Sequence, residues 1–181
     1  MGTTTHLMTA EELMRLPDDG VRHELIKGEL LTMPPSGEEH GAVTMNISIL
    51  LAQYVKSRNL GRMYAAETGF KLESDPDTVM APDVSFIRRE RLGPLSMGYR
   101  AGAPDLVVEV LSPSDRKRKA EKKTSRSLAL GALAVWLVDP QSRTVEVCKA
   151  DGEKKLFTVE DELTGDNIVP GFRCRVAEIF A

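Results

Sequence analysis

The chain contains little cysteine, little histidine and few aromatic residues. Its 181 residues include 2 cysteines, 3 histidines and 1 tryptophan, and aromatic residues make up 5% of the composition. Cys148 and Cys174 form no Cys-x-x-Cys pair and the histidines are not clustered, so neither a disulfide framework nor a zinc site is favoured. We expect both cysteines to be buried, inert thiols. With so few aromatic residues, no platform for stacking nucleic-acid bases can be identified.

Long apolar runs are also absent. Segments 106–111 and 128–138 are too short or too interrupted to span a bilayer, and the N-terminus lacks the apolar core of a secretory signal. We therefore expect a soluble, cytoplasmic protein with no membrane partner. A composition of 41% hydrophobic and 28% charged residues is sufficient for one well-filled core. Because no repeat or interdomain linker is visible, we expect a single domain over residues 1–181.

The net charge of -3 and the pI near 5.7 argue against a general nucleic-acid coat, because backbone binding relies on Lys and Arg residues that neutralise phosphates. One segment has the opposite charge. Residues 116–126 carry seven basic side chains against one acid, Glu121. This segment is either a phosphate-facing surface or an ordinary solvated helix face, and the sequence favours neither.

The first part of the chain predicts a short helix and a hairpin. Thr9 and Glu12 have the spacing of a capping box, which would open a helix that ends at Leu16. Residues 23–26 and 29–33 then flank a Lys-Gly turn, as the two strands of a hairpin do.

The rest of the chain predicts helices alternating with strands. Apolar residues at helical spacing predict a long helix over 38–58, with Gly61 at its C-terminus, and a second helix from about 115 to 130 ends at Gly131. The predicted strands are 63–72, 83–87, 106–111, 134–138, 144–149 and 154–159. This order predicts an α/β fold, a mixed sheet flanked by helices, with an extra N-terminal hairpin and C-terminal strands. We expect residues 93–104 to form an irregular and mobile loop.

Two carboxylates occupy predicted buried strands. Asp83 follows Ala81-Pro82 and precedes an apolar run, and Glu109 stands among four Val and Leu residues. An ionised carboxylate is costly to bury unless it is paired, hydrogen-bonded or bound to metal. Magnesium prefers oxygen ligands and often takes only one or two protein carboxylates. Asp83 and Glu109 therefore predict a site for Mg²⁺ or Mn²⁺, to which the backbone carbonyl of Val110 could add a ligand. A strand-start residue capping a turn remains the alternative for Asp83, and an internal ion pair for Glu109.

The second predicted helix offers a basic partner for these acids. At about 100° per residue its inward stripe centres on Ala120, Thr124, Ser127 and Gly131. Lys123 and Lys117 flank this stripe, whereas Lys122 and Arg118 point away from it. Lys123 can extend toward the sheet and neutralise charge that develops on a phosphate. Lys117 is its rival, and a surface salt bridge is the structural alternative.

These residues together resemble the Uma-two-type family of restriction-endonuclease-like proteins, within the PD-(D/E)XK nuclease superfamily. The resemblance rests on Pro82-Asp83, on a strand that runs from Glu109 into Leu111-Ser112-Pro113-Ser114-Asp115, on Lys123 and Gly131, and on 135–140. Further matching stretches are 8–12, 23–30, His40, 66–70 and 169–172, so the similarity extends almost from end to end. Any one of these pieces would be weak evidence alone.

The resemblance implies a restriction-endonuclease-like α/β fold with its nuclease core at about residues 38–140. It also implies Asp83 and Glu109 as catalytic metal ligands and Lys123 as their basic partner. Two departures stand out. The superfamily commonly has a lysine two residues after the strand acid, where this chain has Leu111, and relatives of this kind commonly have Tyr four residues after the helix lysine, where this chain has Ser127.

Three further side chains are weaker candidates for the site. His40 could relay a proton or contact phosphate, although a packing or capping role is more common for such a residue. Glu67 could supply a third acid and Glu24 a charge from the hairpin, or each could simply hold a basic partner. The first hypothesis is a Mg²⁺- or Mn²⁺-dependent DNA endonuclease, plausibly a homodimer that cuts both strands. The alternatives are a non-catalytic binding or assembly module with this fold, and a hydrolase of RNA or a small phosphorylated molecule.

Overall fold

Two β-sheets and two longer helices form the body of the fold in this computed structural model, which describes residues 6–17, 19–112 and 117–181. The helices are α1 (Ala10–Met14), α2 (Glu38–Arg58), α3 (Lys117–Ala129) and α4 (Val176–Ile179). The strands of the first half are β1 (Arg22–Ile26), β2 (Glu29–Met33), β3 (Gly61–Ala65), β4 (Phe70–Glu73), β5 (Thr78–Met80) and β6 (Val84–Arg88). Those of the second half are β7 (Arg100–Ala101), β8 (Leu106–Val110), β9 (Ala134–Asp139), β10 (Thr144–Lys149), β11 (Lys154–Phe157), β12 (Glu162–Thr164) and β13 (Arg173–Arg175).

The larger sheet has six strands in the order β11-β10-β9-β8-β6-β3. Its central pair, β8 and β9, is parallel and is connected through α3, whereas β6 and β8 are antiparallel. Apart from Glu109 on β8 and Asp139 at the end of β9, these two strands are apolar, because both faces of the sheet are covered. The predicted mixed α/β architecture with flanking helices is thereby confirmed.

Side chains of the central strands point alternately to the two faces of the larger sheet, so the core has two layers. One layer joins Val84, Phe86, Leu106 and Val108 to the buried side of α2, which carries Val43, Ile47, Leu51 and Val55. The other joins Val107, Val135 and Leu137 to Ala120 and Leu128 of α3. Since successive side chains on a strand point to opposite faces, Glu109 shares the α3 face with Val107.

The smaller sheet has the order β2-β1-β5-β4-β7 and contains the predicted hairpin. Beside it, α1 begins with the predicted capping box, in which Thr9 and Glu12 exchange hydrogen bonds. The helix ends at Met14 instead of Leu16. This sheet brings β1 alongside the end of β6, and so positions the hairpin next to the central strands.

The structure corrects several expected boundaries. Residues 63–72 form two strands separated by a turn, and Asp83 precedes its strand instead of beginning it. The left-handed residue that ends α2 is Asn59 (φ 53°), not Gly61. Gly61 begins β3, where an added Cβ would lie 2.0 Å from the carbonyl oxygen of Ile87, so close strand packing is what requires glycine there. Within 93–104 the segment is only partly irregular, since it contains β7 and the buried Ala103.

Several smaller predictions have clear outcomes. The third C-terminal strand ends at Phe157 instead of residue 159, and α3 ends at Ala129 before Gly131, which has a left-handed φ of 109°. Cys148 and Cys174 are free and buried, as expected. The predicted start of α3 near residue 115 lies outside the described residues.

Candidate active site

The register of β6 against β8 brings the two predicted acids near each other. Val84 pairs with Val108 in this antiparallel ladder. Asp83 directly precedes Val84, Glu109 directly follows Val108, and the charges of the two acids interact. Both are buried, with 4% and 7% of their surface exposed. The structure therefore brings together the two carboxylates that the sequence singled out.

Asp83 accepts hydrogen bonds through both of its oxygens. Its Oδ1 accepts from Arg22 Nη1 at 3.0 Å, and its Oδ2 accepts from the Val110 amide at 2.9 Å. The Nε2 atom of His40, in the first turn of α2, lies 3.2 Å from the same Oδ2. Asp83 is thus fixed at the junction of the hairpin, α2 and β8.

Glu109 bonds to the predicted lysine. Lys123 Nζ on α3 lies 3.0 Å from Glu109 Oε2 and 3.2 Å from Glu24 Oε1. Glu24 also accepts from the Ala81 amide at 2.9 Å, just before Asp83 in the chain. The second oxygen of Glu109, Oε1, is buried and has no hydrogen-bond partner among residues 6–17, 19–112 and 117–181. Lys123, and not a strand residue, is therefore the cation beside Glu109.

The charges of this cluster explain its protonation. Burial alone would raise the pKa of Asp83, but hydrogen bonds from His40 and the Val110 amide, with the charges of His40 and Arg22, lower it to about 2. Burial raises the pKa of Glu109 to about 7, against the opposing charge of Lys123 and with support from Asp83 and Glu24. Burial also works against the charge of Lys123, yet Glu109 and Glu24 raise its pKa above the ordinary value. Asp83 and Lys123 are thus charged at neutral pH, and Glu109 is poised to gain or lose a proton.

The other predicted candidates differ in position. Glu24 and His40 belong to the cluster. Glu67 does not: it lies in the exposed turn after β3 with a left-handed φ of 71°, and no hydrogen bond or ion pair within the described residues joins it to either acid. The side chain of Lys117 is outside the described part of the chain. The Val110 amide holds Asp83, whereas its carbonyl stays a predicted ligand.

Sequence reasoning missed Arg22. This residue bonds Asp83 and lies 3.7 Å from Glu24, and its Nε and Nη2 atoms are buried without hydrogen-bond partners. Arg22 lies one residue before the predicted strand 23–26 and begins the observed β1, which also carries Glu24, and residues two apart on a strand share a face. That spacing was the signal that could have led to Arg22.

The acid pair fits a minimal magnesium site. No group of three His, Cys, Asp or Glu residues arranged to hold a metal occurs in the ranges 6–17, 19–112 and 117–181. Magnesium nevertheless needs only one or two protein carboxylates, with water and substrate oxygens completing its octahedron. Glu109 Oε1, which is buried and has no hydrogen-bond partner among the described residues, and the ionised Asp83 nearby are oxygen donors of the kind that such an ion binds.

Comparison with known proteins identifies the family of this chain. A profile of the Uma2 family, described as "Putative restriction endonuclease", matches residues 10–177. The chain belongs to the Uma2 family. The expected family resemblance is confirmed, and the matched residues include the hairpin, α2, β6, β8 and α3. A search of curated proteins found no match.

A solved structure shares the Uma2 fold. It is described as "a putative nuclease belonging to DUF820 from Anabaena variabilis ATCC 29413" and superposes with a TM-score of 0.81. The two chains are 24% identical, and the match covers 96% of this chain and 97% of that one. In the described part of the protein, no helix has both the length and the apolar character needed to cross a membrane.

Proposed function

We propose that this Uma2 protein is a metal-dependent phosphodiesterase that cleaves DNA. The observation that carries the proposal is the buried cluster in which the charges of Asp83 and Glu109 interact and Lys123 bonds to Glu109. The family description supports nuclease chemistry in general. Bound between the two acids, Mg²⁺ or Mn²⁺ would polarise the scissile phosphate and activate the attacking water.

The chain's own residues would have distinct roles. Asp83 stays ionised because His40, Arg22 and the Val110 amide stabilise its charge, and Glu109 becomes a ligand once it releases its proton. Because Lys123 holds its proton firmly, its role is to stabilise negative charge developing on the phosphate, not to act as a base. Among the described residues, the Nε and Nη2 atoms of Arg22 have no hydrogen-bond acceptor, and they could donate to a phosphate oxygen. His40 would orient Asp83.

A nucleic acid is favoured as the substrate because the helix that carries Lys123 also exposes basic side chains, and DNA is the nucleic acid we propose. Arg118 and Lys122 are exposed on α3, the helix that also carries Lys123. Such positions could contact the phosphates flanking the cleaved bond, although the overall charge of the chain is negative. Cleavage of duplex DNA, single strands and RNA should be compared, since an RNA preference would replace this substrate assignment.

The test is cleavage by matched variants with Mg²⁺, with Mn²⁺ and with a chelator. Asp83→Ala and Glu109→Ala should abolish metal-dependent cleavage, and Lys123→Ala should reduce it by roughly a hundredfold or more. Glu153→Ala is the control, because Glu153 is exposed on the distant β10–β11 hairpin. Parent-like cleavage by either acid variant would refute the assignment.

One observation favours a second function, a non-catalytic binding or assembly module. Both oxygens of Asp83 already have protein partners, including Arg22 at 3.0 Å, so the cluster is also self-consistent as a structural ion-pair network. Titration calorimetry separates the two functions. No heat of binding at millimolar Mg²⁺ or Mn²⁺ would support the module, and saturable binding that Glu109→Ala removes would support the phosphodiesterase.

A further inference from the structure

The outer face of α2 is apolar although it is exposed. Between Glu39 and Lys56 the helix contains no Asp, Glu, Lys or Arg. Its inner face is already covered by the larger sheet, whereas Met45 is 59% exposed and Ile49 is 44% exposed. A helix that is apolar on both faces normally buries both of them.

The exposed residues form one straight stripe. At about 100° per residue, Glu38, Ala42, Met45, Ile49, Ala52 and Lys56 fall within an arc of about 80°. Their side chains are exposed except that of Ala52, which is half-buried. The stripe, residues 38, 42, 45, 49, 52 and 56, therefore presents a narrow apolar centre with an acid at one end and a base at the other.

The order of the stripe is self-complementary. Ile47 is the midpoint of three pairs of positions along the stripe. Each pair is equally far from Ile47 on its two sides: Glu38 and Lys56, Ala42 and Ala52, and Met45 and Ile49. An antiparallel copy of the helix would thus bring each acid opposite a base, each small residue opposite a small residue, and each large apolar residue opposite another. Two-fold symmetric interfaces require this kind of self-complementarity.

We propose that the stripe is a homodimer interface in which α2 packs antiparallel against α2 of a second copy, around a two-fold axis near Ile47. Alanines at 42 and 52 allow the helices to approach closely, and Met45 inserts beside Ile49 of the partner. Glu38 and Lys56 pair across both ends. The proposal does not depend on nuclease activity.

The expected dimer is weak because the interface is small. A single pair of helix stripes buries less than the roughly 800 Å² per partner of a standard stable interface. We therefore expect dissociation in roughly the micromolar range. In this arrangement the two His40 residues are separated by about 21 Å along the helix axes, from a rise of 1.5 Å per residue.

The first test measures the oligomeric state of the full chain by sedimentation velocity over a wide concentration range. Met45→Glu places a charge against Ile49 of the partner at two symmetric positions and should weaken dimerisation at least about a hundredfold. Met97→Glu is the matched control, because Met97 is fully exposed elsewhere and should leave dimerisation unchanged. A parent that stays monomeric at several hundred micromolar, or a Met45→Glu variant that dimerises as the parent does, overturns the proposal.

The second test examines the register with charge reversals that leave the apolar centre intact. Glu38→Lys alone and Lys56→Glu alone should each weaken the dimer roughly tenfold, because each creates two like-charge pairs. The combined Glu38→Lys/Lys56→Glu variant should return to within about threefold of the parent. Glu39→Lys is the control, since it makes the same change in the same helical turn but off the stripe. Equal effects of Glu38→Lys and Glu39→Lys, or no recovery in the combined variant, would overturn the antiparallel register.

Discussion

Glu109 is the residue that would release a proton when the proposed metal binds. One of its oxygens bonds Lys123 and the other is buried without a partner, and its pKa lies at about 7. Asp83, with a pKa of about 2, is already ionised across the working range of pH. Metal binding at acidic pH therefore has to displace a proton from Glu109 alone.

The first prediction concerns the pH dependence of metal affinity, which follows from the proton on Glu109. Affinity for Mg²⁺ or Mn²⁺ should rise by up to tenfold per pH unit between about 5 and 7, and should level off above 7, where Glu109 is ionised. Calorimetry at several pH values, in buffers of different ionisation enthalpy, should detect close to one proton released per metal at pH 6. Affinity that does not change between pH 5.5 and 7.5 would show that Glu109 is not a ligand.

Arg22 would compete with the proposed metal for Asp83, and the second prediction separates this competition from the structural role of Arg22. Arg22→Gln should bind metal roughly three- to tenfold more tightly, because Asp83 Oδ1 is released and a positive charge is removed. The same variant should lose about 2–4 kcal/mol of unfolding free energy in chelator, since a buried carboxylate loses a charged partner. Cleavage should also slow if Arg22 contacts phosphate.

Calorimetry and urea unfolding measure these two effects. Arg173→Gln is the comparison, because it removes an exposed arginine that is paired with Glu162 and should change neither quantity appreciably. Weaker metal binding by Arg22→Gln would instead identify Arg22 as a residue that positions Asp83.

At the scale of secondary-structure elements, the basic partner of the site comes from the crossover helix. Glu109 lies on β8, and Lys123 reaches it from α3, which connects β8 to β9. Leu111, two residues after Glu109, is partly buried and packs in the α3 layer of the core. A lysine at that position would extend from the same side of the chain as Glu109.

The third prediction concerns a variant in which the lysine is moved from position 123 on α3 to position 111 after β8. Lys123→Ala should be nearly inactive, and adding Leu111→Lys should recover part of the cleavage, about tenfold or more, by supplying the cation from β8. Initial cleavage rates at saturating metal measure the recovery. Leu111→Met in the Lys123→Ala background is the control, because methionine is a long side chain without charge. If Leu111→Lys and Leu111→Met give equal rates in that background, the position of Lys123 on α3 cannot be replaced.

Elements with a strong periodic pattern were predictable. The bounds of α2 and the positions of β1, β2, β8 and β9 agree with their apolar patterns, because burial of one or both faces imposes the pattern. The turn between β3 and β4 was missed because its left-handed position is occupied by Glu67 and not by glycine or asparagine. Strands β5, β7, β12 and β13 are two or three residues long, which is too short for a pattern to develop.

The candidate site residues that could be predicted from the sequence are those whose charge is costly to bury. Asp83 and Glu109 stand out because few contexts tolerate a carboxylate among apolar neighbours. Helical spacing left Lys123 and Lys117 as rivals, and the family resemblance implied Lys123. Arg22 comes from a strand far away in sequence, and only the smaller sheet brings it to the cluster. Such long-range placement cannot be obtained from local spacing.

At the scale of the whole molecule, Glu109 would link the proposed metal binding to folding stability. Its pKa is higher in the folded protein than the ordinary value of 4.5, so its contribution to stability is fully present below about pH 4.5 and is lost as pH rises through about 7. Without metal, the unfolding free energy should therefore fall over this range, by an amount on the order of 2 kcal/mol.

The fourth prediction tests this linkage by urea unfolding between pH 5 and 8, in chelator and in Mg²⁺. The fall expected in chelator should be smaller in 10 mM Mg²⁺, because an ion bound only to the folded state adds stability, about 1.4 kcal/mol at ten times its dissociation constant. Glu109→Gln should flatten the pH dependence and lose the response to Mg²⁺. An identical slope for the parent and Glu109→Gln would assign the linkage to other groups.

The hairpin has one further consequence. Arg22 and Lys123 supply two fixed positive charges where three carboxylates meet, so the protein carries its own substitute for the ion that the acids would hold. Removal of divalent cations should then leave the protein folded and abolish only the proposed cleavage. Protein that is already folded but metal-free would then need only the ion to become active. Neither new synthesis nor refolding would be required.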